Sequence, residues 1–114
     1  MRIHKNLDTI EISDIDEDVI WNKLGLGPDY EGGWHVNFIQ WVPGSADDVL
    51  IIKNGNESAN PVIYYNWASG RNSDLPRYFY GVRVQFFIDY SACTLSAGHK
   101  LIVQLMPIGS GFMK

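Results

Sequence analysis

The sequence predicts an all-β protein: an antiparallel β-sandwich of jelly-roll or Greek-key path with about six to eight strands. Three observations support this fold class. Apolar and polar residues alternate in two long stretches, a solid apolar run occupies residues 49–52, and turn residues separate such segments at regular intervals. A strand-rich chain of this length normally forms two sheets packed face to face. A single sheet closed on itself is the alternative architecture.

Residues 34–42 are the first clear strand. Alternation divides their side chains between two faces: Trp34, Val36, Phe38 and Val42 on one, His35, Asn37, Ile39 and Trp41 on the other. Because a regular strand turns successive side chains to opposite sides, Trp34 and Trp41 are expected on opposite faces. Only one of the two tryptophans should then lie in the core layer.

A polar turn and a second strand follow. Pro43 lacks an amide donor and Gly44 admits turn geometry, so the first strand should end there. The run at residues 49–52 is apolar on both faces and is expected between two layers. Asn54 and Gly55 form a strong turn dipeptide after it. Residues 34–55 are therefore predicted to form a hairpin.

The N-terminal third of the chain is less regular. Residues 1–12 are predicted to be an edge strand or an arm that docks on a neighbour, with Ile10 and Ile12 facing inward. Residues 13–24 can be interpreted as a short capped helix or as a loop followed by a strand at residues 19–21, and the strand is favoured. Glycine and proline predict a long loop at residues 25–33.

The C-terminal half contains three further predicted strands. The first covers residues 61–67, and a loop at residues 68–77 follows it. The last covers residues 99–106. The second, between these two, is a single long strand at residues 80–90. It is predicted because six alternating side chains share one face: Tyr80, Val82, Val84, Phe86, Ile88 and Tyr90. The opposite face of that strand should be wet, with Phe87 as its apolar exception.

Composition limits the function classes. A chain of 114 residues predicts one domain, residues 1–114, and 46% hydrophobic with 19% charged residues excludes a disordered chain. A formal charge of -4 with scattered basic residues argues against nucleic-acid binding. No apolar run is long enough to cross a bilayer, and no signal peptide is recognised, so we expect synthesis in a cytoplasm and no membrane partner.

No residue pattern predicts catalysis, a metal or a cofactor. His4, His35 and His99 have no metal-ligand spacing, and the acids at residues 14–18 lack the glycine and final glutamate of a calcium loop. Cys93 is a lone cysteine, expected to be buried near a strand end. We therefore predict a non-enzyme. A small enzyme would require His35, His99 and an acid to converge in one cavity.

Aromatic residues exceed what one core layer can hold. Tyr65 and Trp67 alternate with Tyr64 on one strand, Trp41 opposes Trp34, and Phe87 has polar neighbours. Exposed aromatic side chains at this density are typical of a binding face or a subunit interface. The alternative is that loops bury both faces of a sheet. The predicted contact residues are Trp41, Tyr65, Trp67, Phe87 and Tyr30, with residues 68–77 and 1–12 as secondary candidates.

Two segments resemble a known group of proteins. The turn and strand at residues 44–52 and the closing strand at residues 97–103, within a small acidic domain, resemble small virion proteins of tailed bacteriophages, nearest to capsid cement or decoration proteins. The resemblance spans residues 34–106. It implies a β-sandwich or jelly roll, often a homotrimer, located in the virion and bound to the major capsid protein. No individual residue can be transferred from that group.

Two functions are therefore expected. The first is a non-enzymatic structural virion protein that self-associates and stabilises a phage head. The alternative is a carbohydrate-binding β-sandwich module, including a phage receptor-binding or tail-associated domain, in which the same aromatics stack on glycan rings. Its binding loops would be residues 25–33 with Tyr30, or residues 69–78, flanked by polar groups such as Asn66 and Asp74.

Overall fold

A computed structural model describes residues 1–26, 32–57, 60–68 and 75–106. These residues form two antiparallel sheets, which confirms the all-β sandwich. Within them are nine strands: β1 (Arg2–Asn6), β2 (Thr9–Ser13), β3 (Val19–Ile20), β4 (Trp34–Val42), β5 (Val49–Asn54), β6 (Val62–Trp67), β7 (Arg77–Val84), β8 (Phe86–Ile88) and β9 (Lys100–Leu105). No α-helix occurs in the described residues, and none of these segments is a helix with the length and hydropathy needed to span a membrane.

The strand order is that of a jelly roll. The five-stranded sheet has the order β1-β2-β9-β4-β7, and the four-stranded sheet has the order β3-β8-β5-β6. Strand β2 pairs with β9, β3 with β8, β4 with β7 and β5 with β6, so an antiparallel ribbon folds back on itself and is then rolled into two sheets. Strand β1 is an extra strand at the edge of the five-stranded sheet.

The predicted hairpin at residues 34–55 is wrong, although both of its strands form. Strand β4 lies in the five-stranded sheet and β5 in the four-stranded sheet, so residues 43–48 carry the chain across the sandwich. Strand β5 instead makes its hairpin with β6. The sequence of a turn between two strands indicates that the chain changes direction, but it does not determine which sheet receives the next strand.

A β-bulge at Asn37 overturns the assignment of the two tryptophans. The pairing of β4 with β9 matches Val36 to Leu105 and Phe38 to Gln104, so one extra residue lies in β4. The alternation therefore changes phase, and both Trp34 and Trp41 are fully buried. Trp41, predicted to be a contact residue, is a core residue.

The long strand predicted through residues 80–90 is two strands in different sheets. Strand β7 belongs to the five-stranded sheet and β8 to the four-stranded sheet, with the crossover at Gln85. Phe87, predicted to be an exposed contact residue, is 3% exposed. It lies opposite Ile20 and Lys53 in the register of β8 with its two neighbours, and Lys53 is itself buried. Phe87 is therefore removed from the list of contact residues.

The N-terminal segment is a hairpin, not one strand. Strands β1 and β2 turn at Leu7, whose φ angle is 56°. Ile10 and Ile12 face inward as predicted, β1 is an edge strand, and the favoured strand at residues 19–21 is confirmed as β3. The described residues contain nine strands rather than six to eight because the segments at residues 1–12 and 80–90 each provide an additional strand.

The core lies between the two sheets. Its largest fully buried side chains come from both sheets: Trp34, Trp41, Tyr64 and Phe86. The Trp34 and Phe86 rings stack with centroids 4.5 Å apart and so join β4 to β8 across the sandwich. The outer surfaces of the two sheets are therefore the surfaces available for binding.

Candidate functional site

The structure separates the predicted contact residues. Tyr65 is 53% exposed and Trp67 is 56% exposed, whereas Trp41 and Phe87 are buried. Tyr30 lies outside the described residues. Of the predicted set, only Tyr65 and Trp67 come together on a surface.

These two aromatics lie on the outer surface of the four-stranded sheet. In the register of β5 with β6, Tyr65 lies opposite Ile51 and Trp67 opposite Val49, while the alternate residues Tyr64 and Leu50 face the core. We call the surface formed by Val49, Ile51, Tyr65 and Trp67 the β6 face. Because β6 is the last of the described strands in its sheet, this apolar surface adjoins a sheet edge.

A second aromatic surface lies on the outer side of the five-stranded sheet. It consists of Phe38, Tyr78 and Tyr80, which we call the β7 cluster. The Phe38 and Tyr78 rings meet edge to face with centroids 5.7 Å apart, and the Tyr78 and Tyr80 rings stack at 5.9 Å. Tyr80 is 82% exposed. Of the three, only Tyr78 belongs to a predicted binding segment, the loop at residues 69–78 of the glycan-binding alternative. The glycine after Tyr80 inside a strand pattern is a signal of a bulge.

An amide pair borders the β7 cluster. Asn37 Nδ2 donates a 2.8 Å hydrogen bond to Gln104 Oε1. Gln104 lies opposite Phe38 in the register of β4 with β9, and both of its neighbours in β9 are buried, so the pair lies on the outer face. The bulge that buries both tryptophans thus also brings an amide next to Phe38.

The two aromatic surfaces lie on the same side of the sandwich but face opposite ways. Strands β6 and β7 are the corresponding edges of the two sheets, and the Arg77 guanidinium lies 4.6 Å from the centre of the Tyr64 ring. The β6 face belongs to one outer surface and the β7 cluster to the other. A flat partner can therefore cover only one of them.

Asp48 is a buried anchor between two loops. Its carboxylate accepts hydrogen bonds from the backbone amides of Gly44, Ser45 and Ser96 and from the hydroxyls of both serines. Burial by itself would raise the pKa of Asp48, but the hydrogen bonds from Ser96, Gly44 and Ser45 outweigh it and lower the pKa below its ordinary value. These contacts link the turn before β5 to Ser96, 48 residues further along the chain, and give Asp48 a structural role.

The histidines do not converge. His99 is buried, accepts the Ile15 amide at Nε2 at 2.9 Å, and contacts the Ser96 carbonyl through Nδ1 at 2.7 Å. These partners require Nδ1 to carry the proton, and the ring packs on Trp41. His35 is at the opposite end of β4 from Trp41, about 20 Å away along the strand. The arrangement of His35 and His99 that a small enzyme would need is therefore not formed.

Three further polar groups lie near the four-stranded sheet: Lys53 and Asp89, which are buried, and Cys93, which is partly buried rather than buried as expected. Lys53 Nζ lies 3.4 Å from Asp89 Oδ2, and both side chains are almost inaccessible to solvent. Cys93 donates its thiol hydrogen to the Ile51 carbonyl at 3.7 Å and receives the Ile51 amide at 3.4 Å. Burial, helped by the nearby Asp89 charge, raises the pKa of the Cys93 thiol. These groups join β5 to the segment after β8.

An acidic groove lies on the opposite side of the sandwich, between β1 and β3. It has a volume of about 770 Å³, an apolar floor of Ile3, Ile20 and Leu24, and a rim that includes Asp16, Glu17 and Asp18. The N-terminal ammonium lies 3.3 Å from Asp16. Across the described residues, no group of three or more histidine, cysteine or acidic side chains is placed to hold a metal ion.

Comparison of the chain with protein-family models, with curated proteins and with solved structures finds no match. No relative or structural neighbour therefore links the chain to the capsid decoration proteins, and that resemblance stays a prediction.

Proposed function

We propose that this chain is a non-enzymatic structural protein of a tailed-bacteriophage particle, of the cement or decoration kind, and that it self-associates through the β6 face. The observation that carries the proposal is the pair Tyr65 and Trp67, both more than half exposed on the outer surface of an edge strand. Side chains two residues apart on a strand lie about 7 Å from each other. Together they form one continuous apolar patch.

Burial of this patch is the expected driving force for assembly. Tyrosine and tryptophan carry a large apolar area at a low cost in side-chain entropy, and both are enriched at subunit interfaces. Val49 and Ile51 lie beside them and extend the same surface. As the last described strand of its sheet, β6 can add main-chain hydrogen bonds to a neighbouring copy.

The expected assembly is a closed homo-oligomer, with a trimer favoured. In a trimer, the β6 face of one copy packs on a different surface of the next, and the rotation closes the ring. The jelly-roll order agrees with a role in a virion, since this fold serves viral capsid proteins as well as lectin and cupin domains. The proposed partner is the major capsid protein, and the proposed location is the virion, after synthesis in the host cytoplasm.

The first test is the solution mass by size-exclusion chromatography with light scattering, over a wide concentration range. We expect a closed oligomer for the unchanged protein and a shift to monomer for Trp67→Ala and Tyr65→Ala. Tyr90→Ala is the matched control, because Tyr90 is also an exposed tyrosine but lies on a short 3-10 helix and not on β5 or β6. A monomer at every concentration, or an oligomer that neither substitution weakens, would contradict self-association through the β6 face.

The second test concerns the particle. Phage particles purified by density gradient from induced cultures of the source organism are analysed by mass spectrometry. We expect peptides of this chain to band with the major capsid protein at a constant ratio. Peptides found in the lysate but lost from the banded particles would contradict the virion location while leaving the first test unaffected.

A further inference from the structure

We propose that the β7 cluster and the amide pair Asn37–Gln104 form a binding site for an uncharged sugar ring on the outer surface of the five-stranded sheet. This site goes beyond the structural role proposed above. It uses none of the residues of the β6 face and lies on the opposite outer surface. The two proposals can therefore succeed or fail independently.

The backbone is strained at Tyr80, within the β7 cluster. Tyr80 has a φ angle of 53°, a conformation that is unfavourable for a residue with a side chain, and Gly81 follows with φ at 82°. His35 Nδ1 lies 3.3 Å from the Gly81 carbonyl oxygen, to which it donates when it carries the proton. The fold thus holds a tyrosine in a strained bulge while the ring stays in solvent and adds little to the core. Strain of this kind at an exposed aromatic residue is a signal of binding.

The rings of the β7 cluster are arranged as a sugar-stacking surface requires. Tyr78 lies between Phe38, which it meets edge to face, and Tyr80, on which it stacks with an angle of 26° between the ring planes. Because Tyr78 and Tyr80 are nearly parallel and open to solvent, they present a ridge of aromatic surface along the edge of the sheet. Such a surface suits the C–H face of a pyranose, whose polarised hydrogens point toward an aromatic π-system.

Hydrogen-bonding groups for sugar hydroxyls lie beside the rings. The amides of Asn37 and Gln104 bond to each other through one donor and one acceptor. Whichever way the two amides are oriented, the pair keeps one carbonyl oxygen and one NH₂ group for a ligand, and these are the groups that recognise hydroxyls. The mutual hydrogen bond holds both side chains in place before any ligand arrives.

The charge of the surface selects the ligand class. Arg83, the cation opposite His35 on this face, donates both Nε and Nη2 to the Gly32 carbonyl. Lys100 and Glu11 lie toward the other end of the sheet and approach each other to 4.0 Å. The proposed site consists of the three rings of the β7 cluster and the two amides. This uncharged set of groups favours a neutral glycan over an acidic or basic segment of a protein.

The test is an NMR titration of the full chain, labelled with ¹⁵N, with uncharged oligosaccharides built from hexoses, N-acetylhexosamines and pentoses. Each is added to about 10 mM, which occupies most of a site with a Kd of about 1 mM. We expect at least one of them to shift the amide signals of Asn37, Tyr78, Tyr80 and Gln104. Tyr78→Ala and Tyr80→Ala should each weaken the affinity by about tenfold, the effect of losing one stacking ring.

The controls separate this site from the β6 face. Tyr65→Ala removes a comparable exposed ring on the opposite surface and should leave the sugar affinity unchanged. Tyr80→Gly keeps the bulge and should lose affinity as Tyr80→Ala does. The proposal is overturned if no oligosaccharide shifts these signals, if both alanine variants bind as tightly as the unchanged protein, or if Tyr80→Ala alters the oligomer mass and not sugar binding, which would make this face a protein interface.

Discussion

Asp48 Oδ1 accepts a 2.6 Å hydrogen bond from Ser96 Oγ, so a buried carboxylate ties the loop before β5 to the loop before β9. The other carboxylate oxygen accepts the amides of Gly44 and Ser96. Gly44 itself has no room for a side chain, since a Cβ there would lie 2.3 Å from the Ser96 carbonyl oxygen. This contact holds together two loops that follow strands from different sheets.

We expect Asp48→Asn to destabilise the protein by about 2–3 kcal/mol, because the amide presents a donor to buried groups that are themselves donors. Urea unfolding followed by circular dichroism measures the loss. Asp47→Asn is the matched control: Asp47 is exposed with φ at 69°, a conformation that asparagine tolerates, so its effect should stay within about 0.5 kcal/mol. Equal losses from both substitutions would show that the Asp48 anchor is not the source of the effect.

The same residue predicts a pH dependence. Because its hydrogen bonds lower the pKa of Asp48 in the folded protein, the unfolded chain takes up the proton at a higher pH than the folded chain does. The stability contributed by Asp48 is therefore complete above about pH 5 and is lost as the pH falls through about 4 toward the lower folded value. The difference in unfolding free energy between the unchanged protein and Asp48→Asn should shrink over that range. A difference that stayed constant down to about pH 3 would rule out this linkage.

Deletion of Asn37 should leave the protein folded, because strict alternation of the shortened strand still places Trp34, Val36, Ile39 and Trp41 on one face. Insertion of one alanine between Ile39 and Gln40 should prevent folding, since it turns Trp41 to the outer face and Gln40 to the core. Exposing the tryptophan and burying the amide together cost about 3–6 kcal/mol, comparable to the whole stability of a small domain. Near-ultraviolet circular dichroism compares the two variants, and a native tryptophan signal in the insertion variant would contradict the dependence of the core on the phase of β4.

Tyr80→Gly should stabilise the protein by about 0.5–1 kcal/mol, since glycine relieves the positive φ angle at the cost of a more flexible unfolded chain. Tyr78→Gly, two residues earlier in the same strand, has no such strain to relieve and should destabilise it. Thermal unfolding of both variants provides the comparison. If Tyr80→Gly lowered the midpoint as much as Tyr78→Gly does, the strain at Tyr80 would not be real.

The Cys93 thiol should react slowly with alkylating reagents. Burial raises its pKa, so at about pH 8 it carries less thiolate than an unstructured cysteine does. We expect the rate of iodoacetamide labelling, followed by mass spectrometry, to fall well below that of the urea-unfolded protein and to rise steeply as the pH approaches the raised pKa. Equal rates in the folded and unfolded states would mean that the fold does not shield the Cys93 thiol from the reagent.

Much of the secondary structure follows from local pattern. Residues 34–42, 49–54, 62–67 and 100–105 are strands as the alternation and apolar runs predict, because the period of two is built into every extended chain. The inward direction of Ile10 and Ile12 follows from the same rule. The fold class and the exposure of Tyr65 and Trp67 therefore follow from the pattern of residues alone.

Only the tertiary structure decides the phase of the side-chain alternation in each strand and the strand with which it pairs. One inserted residue at Asn37 moves Trp41 into the core, and a crossover at Gln85 places Phe87 beside the buried Lys53 in the four-stranded sheet while Tyr80 stays in the other sheet. Neither event has a distinctive local sequence, because each depends on which strand lies alongside and on how the two sheets close over a shared core. The sequence alone determined an all-β chain with surplus aromatics. The packing of the jelly roll determined which of them remain on its outer faces.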